Sequence, residues 1–321
     1  MKSYFTKSVL YGSLLLWAGI SLQAQSSSGF CFSSTEKGIW QMQTVQLEDR
    51  VIGKPEVIID LNQSRQTFKG WGTCFNELGW DALNLLPASQ QEQVMKLLFA
   101  PDGDLRFTIG RFSIGANDYA RNWYSCNETD GDFEMKHFNI DRDKTTLIPY
   151  IQFAQKYNPD MTFWASPWSP PTWLKTNKHY ANRSGYNNGL PVDKQVPTYF
   201  NDQVIQEPKY LQAYALYFSK FIDAYKEKGI PITTLMYQNE AYSYTVYPSC
   251  SWTPAGITRF HTQYLGPLFE KKHPEVELIL GTMNTGSVDV FEEILKDPDL
   301  HTYVKGIGFQ WEGGSALPEI A

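Results

Sequence analysis

The chain has 321 residues, a formal net charge of −6 at pH 7 and no basic run, which argues against a nucleic-acid or anionic-membrane partner. Its length suits one barrel-sized domain or two smaller domains. Aromatic residues make up 15% of the chain, with ten Trp, and many fall in loop-like stretches where flat amphipathic rings suit contact with sugars.

The first residues have the pattern of a secretory signal peptide. Lys2 and Lys7 form a positive start, an apolar segment follows from Val9 to Ile20, and Ala24 is the small residue before the expected cut. The apolar segment is too short to span a bilayer, and no other segment predicts a transmembrane anchor. Residues 1–24 therefore predict export, to the periplasm, the cell surface or the medium.

Four cysteines remain after that cut: Cys31, Cys74, Cys126 and Cys250. An oxidising compartment permits disulfides, and four cysteines allow three full pairings between which sequence cannot choose. Cys126 and Cys250 both fall in loops expected on one face of the fold, so that pair is the first to test.

The segment before the main repeat is short. Residues 25–36 are Ser-rich and are predicted to be flexible. Alternating or β-branched patterns predict strands at 40–47 and 56–61, within a β-strand region over residues 37–64.

From residue 65 to 321 strands alternate with helices, which predicts an α/β fold with a parallel sheet. Strands are predicted at 67–73, 105–115, 161–166, 232–237, 277–281 and 304–311, and helices at 78–99, 143–157, 208–228, 253–272 and 288–295. No Gly-x-Gly-x-x-Gly opens a helix, so no dinucleotide cradle is indicated. Polar residues follow many different strands, which favours a (β/α)₈ barrel over an open sheet. About six of the eight units are present, and the chain ends where a sixth helix should begin.

The strand ends carry the candidate chemistry. Asn239 and Glu240 follow the fourth strand directly, where parallel α/β proteins place their active sites. The second strand ends at Arg111 with Asp118 beyond it, and the sixth ends at Gln310 and Trp311. Hydrogen-bonding groups mixed with tryptophans suit a sugar ring and its hydroxyls.

Each feature also has a plain structural interpretation. The Pro-rich stretch that holds Trp168 and Trp173 can be a rigid turn, since proline fixes φ. Arg111 and Asp118 can form an ordinary ion pair, and Trp311 can fill the barrel. The five histidines show no metal-ligand spacing, so no metal or other cofactor is expected.

Three motifs resemble glycoside hydrolase family 30, which holds glucosylceramidases and β-1,6-glucanases. They are Ala-Ser-Pro-Trp-Ser-Pro-Pro-Thr-Trp-Leu-Lys-Thr-Asn at 165–177, Gln-Asn-Glu at 238–240 and Gly-Ile-Gly-Phe-Gln-Trp at 306–311. The resemblance runs from about Phe68 to the C-terminus. It implies a (β/α)₈ barrel with a β-sandwich beside it, built from the strands of residues 37–64 and a C-terminal segment.

The resemblance also implies residue roles. Glu240 would be the general acid/base of a retaining β-glycosidase, and the other site residues would bind the sugar or support the nucleophile: Asn239 at the 2-hydroxyl, Asp118 and Trp168 around the non-reducing sugar, Arg111 beside the nucleophile and Trp311 in the pocket wall. The expected substrate is a β-glucoside, a β-glucan or a glucosylated lipid.

Two departures from the family pattern matter. Glucosylceramidase-like members end their sixth strand in His-Trp-Tyr, whereas this chain has Gln310, Trp311 and Glu312, which looks more like the β-1,6-glucanases. The family's nucleophile follows a seventh strand, and neither Glu312 nor Glu319 stands at a matching position. We therefore expect the nucleophile to lie outside this chain and residues 25–321 alone to be inactive. The alternative is a non-catalytic glycan-binding barrel that has lost its nucleophile.

Overall fold

The computed structural model describes residues 28–47, 53–54, 57–58, 60–196, 198 and 201–311. The predicted signal peptide and the two acidic residues Glu312 and Glu319 lie outside the described residues. The chain divides into two compact units, residues 1–67 and 68–321. Within the described part, no helix is long and apolar enough to cross a membrane.

The first unit contains an antiparallel hairpin. Strand β1 (Ser28–Thr35) pairs with β2 (Gly38–Gln46) in a two-stranded sheet. The second strand matches the one predicted at 40–47. The first strand falls inside the Ser-rich segment expected to be flexible, because Phe30 and Phe32 supply a period-two pattern among the serines. The described residues of the range 56–61 form no strand.

The second unit is built on six parallel strands that lie side by side in chain order. They are β3 (Gly72–Phe75), β4 (Ile109–Ser113), β5 (Thr162–Ser166), β6 (Ile232–Met236), β7 (Glu277–Met283) and β8 (Val304–Phe309). The helices are α1 (Glu77–Asn84), α2 (Ala88–Phe99), α3 (Leu147–Tyr157), α4 (Pro208–Lys226), α5 (Pro254–Phe260), α6 (Gly266–Lys272), α7 (Val288–Leu295) and α8 (Leu300–Tyr303). This order confirms the predicted partial barrel, with all six strand ends on one edge.

Proline explains two details of the helices. The predicted helix 78–99 is two helices, because Pro87 precedes α2 and ends the hydrogen-bond ladder of α1. The predicted helix 253–272 is continuous in space, but a π-helical turn at His261–Leu265 separates α5 from α6. Pro267 has no N–H to donate within the first turn of α6, so the ladder changes its spacing there.

Aromatic side chains fill the space between the sheet and α4. Tyr214, Phe218, Phe221 and Tyr225 recur at helical spacing, and all are fully buried. The ring of Tyr225 stacks on that of Phe112 in β4, with centroids 4.8 Å apart. This packing fixes β4 against the helix layer and therefore fixes the position of the polar residues at the strand's end.

The cysteines do not pair in the structure. Cys126 and Cys250 are both buried and both free, so the pairing that we would have tested first is wrong. The backbone N–H of Cys126 donates to the Tyr217 hydroxyl of α4 at 3.1 Å, which holds that loop in the core without a cross-link. Burial raises the pKa of the Cys250 thiol to about 12, so the thiol stays neutral.

A buried acid contacts helix α4. Asp143 is fully buried and accepts hydrogen bonds from the hydroxyls of Tyr124 at 2.6 Å and Tyr225 at 2.7 Å. Burial raises the pKa of this carboxyl from its ordinary 3.8 to about 6, although the two tyrosine donors oppose the rise. Between those two pH values the native state keeps a proton that the unfolded state releases.

Stability should therefore fall as pH rises through 6. We expect the unfolding free energy of wild type, relative to Asp143→Asn, to drop by about 2 kcal/mol between pH 4 and pH 7. Urea titrations at a series of pH values measure this difference. Asp160→Asn, at an exposed position, is the control. A difference between wild type and Asp143→Asn that does not change with pH would contradict the raised pKa.

Candidate active site

Polar residues from five neighbouring strands meet at the carboxyl edge of the parallel sheet. Arg111 comes from β4, Ser166 from β5, Asn239 from just after β6, Thr282 from β7 and Gln310 from just after β8. Because parallel strands end on the same edge, residues far apart in sequence reach one another here.

Asn239 is the centre of this cluster. Its side-chain oxygen accepts hydrogen bonds from Arg111 Nη2 at 2.5 Å, from Gln310 Nε2 at 2.9 Å and from Thr282 Oγ1 at 3.3 Å. Its own N–H donates to the carbonyl of Pro167 at 2.7 Å. The amide is therefore fixed with its oxygen satisfied, which leaves its NH₂ group as the end that can donate to a ligand.

Arg111 lies between two indole rings. Its guanidinium carbon is 4.6 Å from the ring centroid of Trp164 and 4.4 Å from that of Trp168. Nη2 also donates to Ser166 Oγ at 3.1 Å, whereas the buried Nε has no hydrogen-bond partner among the described residues. Burial lowers the pKa of Arg111, and the nearby Glu240 is among the acids that oppose this change. The guanidinium stays charged, with one donor directed at no described acceptor.

Glu240 follows Asn239 in a left-handed backbone conformation, with φ of +53°. Such a conformation costs about 1 kcal/mol or more for a residue other than glycine, and it persists where neighbours hold it. Here the Glu240 N–H donates to Thr282 Oγ1 at 3.1 Å, and the Ser243 hydroxyl donates to Glu240 Oε2 at 2.6 Å. Glu240 is half-buried and lies just after β6. Its backbone is strained, and its contacts with Thr282 and Ser243 hold it in place.

The Pro-rich loop after β5 places Trp168 and Asp118 together. The indole N–H of Trp168 donates to Asp118 Oδ2 at 3.3 Å. The carbonyl of Trp168 accepts from Gln238 Nε2 at 2.7 Å, which ties this loop to the end of β6. Desolvation raises the pKa of Asp118, against the hydrogen bond from Trp168 and the charge of Arg111. The Pro-rich turn therefore has a local structural role and also holds an indole at the cluster.

Hydrogen-bonding side chains beside indole rings, at the carboxyl edge of a parallel sheet, suit the hydroxyls and the flat face of a sugar ring. A sequence profile described as "Glycosyl hydrolase family 30 TIM-barrel domain" matches residues 68–316. The chain belongs to glycosyl hydrolase family 30.

Individual relatives agree with the family 30 assignment. "Putative glucosylceramidase 1" of Caenorhabditis elegans is 31% identical over 80% of this chain and 47% of its own length. "Endo-1,6-beta-D-glucanase" of Neurospora crassa is 26% identical over 71% of this chain and 45% of its own length. The crystal structure of SrfJ from Salmonella typhimurium superposes with a TM-score of 0.77 at 23% identity, covering 92% of this chain and 62% of that one. The chain thus spans about half the length of these two curated relatives.

Four of the site residues predicted from the family 30 motifs lie within this network of contacts: Arg111, Asp118, Trp168 and Asn239. Glu240 is joined to them through Thr282. Two of the plain structural interpretations fail. Arg111 and Asp118 form no ion pair, and the Asp118 carboxylate instead accepts from the indole N–H of Trp168.

Trp311 does not fill the barrel, since 83% of its surface is exposed. Its predicted place in the pocket wall stays a prediction.

Sequence reasoning missed three members of the site. Thr282 lies just beyond the strand predicted at 277–281, but in the structure that strand continues to Met283. Gln310 was recognised as a strand end but given no role, although it supports Asn239 and Thr282. Ser243 is not among the residues that the sequence motifs predict for the site. A period-two pattern continued past Gly281 could have found Thr282, but nothing local indicates that Ser243 contacts Glu240.

Proposed function

We propose that this family 30 protein is a retaining β-glycosidase that hydrolyses β-D-glucosidic bonds, with Glu240 as its general acid/base. The observation that carries the proposal is the left-handed Glu240, held by Thr282 and Ser243 beside the Asn239 cluster. Strained residues that are held by their neighbours are enriched at active sites and ligand clamps, which supports a functional role for Glu240.

The contacts suggest a role for each neighbour. The free NH₂ donors of Asn239 would bind a hydroxyl next to the anomeric carbon, since its oxygen is already occupied. The face of Trp168 would pack on the sugar ring, and Asp118 beside it would accept from ring hydroxyls. Ring burial and hydroxyl pairing together would orient the glycosidic oxygen toward Glu240.

Hydrolysis with retention of the anomeric configuration requires two carboxyl groups about 5–5.5 Å apart. A carboxylate would attack the anomeric carbon while Glu240 protonates the departing oxygen. Glu240 would then remove a proton from the water that releases the sugar. The positive charge of Arg111, which is hydrogen-bonded to Asn239 at the centre of the cluster, would favour an anionic group nearby. We propose that this group is the nucleophile and that it lies outside the described residues.

For the substrate we propose a β-1,6-linked glucan before a glucosylceramide-type lipid. Relatives carry both names, and the Gln310 position separates this chain from the glucosylceramidase-like pattern. Gln310 donates to Asn239 and Thr282, so the residue that differs supports the sugar-binding amide directly. We also propose that the protein is exported, on the signal-peptide pattern of residues 1–24.

The test is the stereochemistry of the first product. The protein isolated from its natural source is incubated with β-1,6-glucooligosaccharides, and the anomeric proton of the first sugar released is followed by NMR. We expect the β-anomer first, and residues 25–321 produced alone should release no sugar. A first-formed α-anomer would overturn the retaining mechanism. Quenching of tryptophan fluorescence by the oligosaccharide without any released reducing sugar would indicate the non-catalytic glycan-binding barrel instead.

A further inference from the structure

Lys175 belongs to the longest family motif, yet the proposed mechanism gives it no task. It follows the turn at Thr172–Leu174, and its side chain is fully buried, with 0% exposed. No salt bridge to Lys175 exists among the described residues. A buried lysine without an acidic partner is costly, so its contacts need an explanation.

The ammonium donates in three directions and joins two loops. Its contacts are the carbonyl of Tyr180 at 2.8 Å, the side-chain oxygen of Asn182 at 3.2 Å and the carbonyl of Ser249 at 2.6 Å. The first two lie in the loop after β5, and the third lies in the loop after β6. Three donors from one small cation match three acceptors, which no neutral side chain of similar length can do. Burial lowers the pKa of Lys175 to about 8, so it remains largely protonated at neutral pH.

Asn182 carries this connection toward Glu240. While its oxygen accepts from Lys175, its NH₂ group donates to the carbonyl of Ser243 at 3.1 Å and to Ser251 Oγ at 3.0 Å. Ser251 Oγ donates to the same Ser243 carbonyl at 3.1 Å. Two donors therefore fix the backbone of Ser243.

Ser243 makes the last step. Its N–H donates to the carbonyl of Glu240 at 3.0 Å, and its hydroxyl donates to Glu240 Oε2 at 2.6 Å. Asn284 Nδ2 contacts the same hydroxyl oxygen at 3.2 Å and leaves its proton directed at the carboxylate. The chain of contacts thus runs without a break from the buried ammonium to the oxygen of Glu240.

We propose that Lys175 and Asn182 are positioning residues for Glu240: they lock the loop after β5 to the loop after β6 and fix Ser243 as the donor that orients the carboxylate. The inference rests on the proposed acid/base role of Glu240. It explains a buried charge whose replacement by an apolar side chain would remove the donor to the Asn182 side-chain oxygen and to the Ser249 carbonyl.

The test compares two substrates in the active protein from the natural source. Phenyl β-D-glucoside needs a proton on its leaving oxygen, whereas 2,4-dinitrophenyl β-D-glucoside does not. We expect Lys175→Met and Ser243→Ala each to lower kcat/KM on the phenyl glucoside by about 10²-fold, the size of effect that a misplaced catalytic group causes. On the dinitrophenyl glucoside kcat/KM should change little, because it reports only the first step, which needs no proton there.

Three comparisons make the result decisive. The double variant Lys175→Met/Ser243→Ala should lose no more than either single variant, because both act through one chain of contacts. Lys194→Met, an exposed cation on the same loop, should leave both rates unchanged. If Lys175→Met does not fold, Asn182→Ala carries the same expectation, since it interrupts the same chain.

Glu240→Gln is measured alongside to separate the two claims. If Glu240→Gln shows the split between substrates but Lys175→Met lowers both rates equally, or neither, the positioning role is wrong. If Glu240→Gln itself shows no split, the acid/base assignment fails, whatever Lys175 does.

Discussion

Glu240→Gln should lower kcat on phenyl β-D-glucoside by about 10³-fold, within the range that general acid catalysis contributes. The change is isosteric, and the amide oxygen can still accept from Ser243, so the fold and the loop contacts should survive. On 2,4-dinitrophenyl β-D-glucoside the first step needs no proton and should proceed at nearly the wild-type rate. Steady-state and pre-steady-state rates on the two substrates give the comparison.

An added nucleophile provides a second readout. Water needs a general base to attack the glycosyl-enzyme, but azide does not, so azide should accelerate the variant and yield β-glucosyl azide. The control is Glu227→Gln. Glu227 is exposed and caps the C-terminus of α4, away from the carboxyl ends of the strands, so this variant should behave as wild type. An equal loss of the first-step rate on both glucosides would remove Glu240 from the acid role.

Arg111→Met should lower kcat/KM by about 10²-fold or more, because it removes a preorganised cation from a site where charge develops. The guanidinium holds Asn239 through Nη2 and lies between the rings of Trp164 and Trp168. The planar guanidinium can hydrogen-bond to Asn239 and stack on the two indole rings at the same time. Arg111→Lys should therefore recover little activity, since an ammonium cannot reproduce the flat stacked geometry. Kinetics on a β-1,6-glucooligosaccharide measure the effect.

The matched control is Arg121, which pairs with Asp81 at an exposed position. Arg121→Met should leave kcat/KM unchanged and cost no more than about 1 kcal/mol of stability, the usual limit for exposed ion pairs. An Arg111→Lys variant within tenfold of wild-type activity would show that charge alone, without the guanidinium plane, is enough at this position.

The sequence located most of the barrel correctly because the signals are local. Helix α7 has the predicted limits, Val288–Leu295, and β5 and β6 match within one residue. Where the structure differs from the prediction, a local signal in the sequence had been overlooked. Phenylalanines in a Ser-rich segment form β1, and Pro267 interrupts the last long helix with a π turn.

The sequence analysis also placed Arg111 and Asn239 at the same edge of the sheet, although 128 residues separate them. It needed only the rule that parallel strands end on one edge, and it needed no side-chain geometry. The pairing of Cys126 with Cys250 used the same rule and was wrong, because sharing a face does not bring two thiols within bonding distance.

By itself, the sequence determined the strand–helix alternation and the edge of the sheet that carries the site. It also determined that Asn239 and Glu240 lie just after β6. Periodicity and proline positions decide those features within a few residues of chain. Only the tertiary structure decided how Glu240 is held. Its support comes from Thr282 at a separation of 42 residues, and the Ser243 loop is fixed by Asn182 and by Lys175, which reaches 74 residues along the chain. Such contacts depend on how two irregular loops pack, and no short pattern encodes that packing.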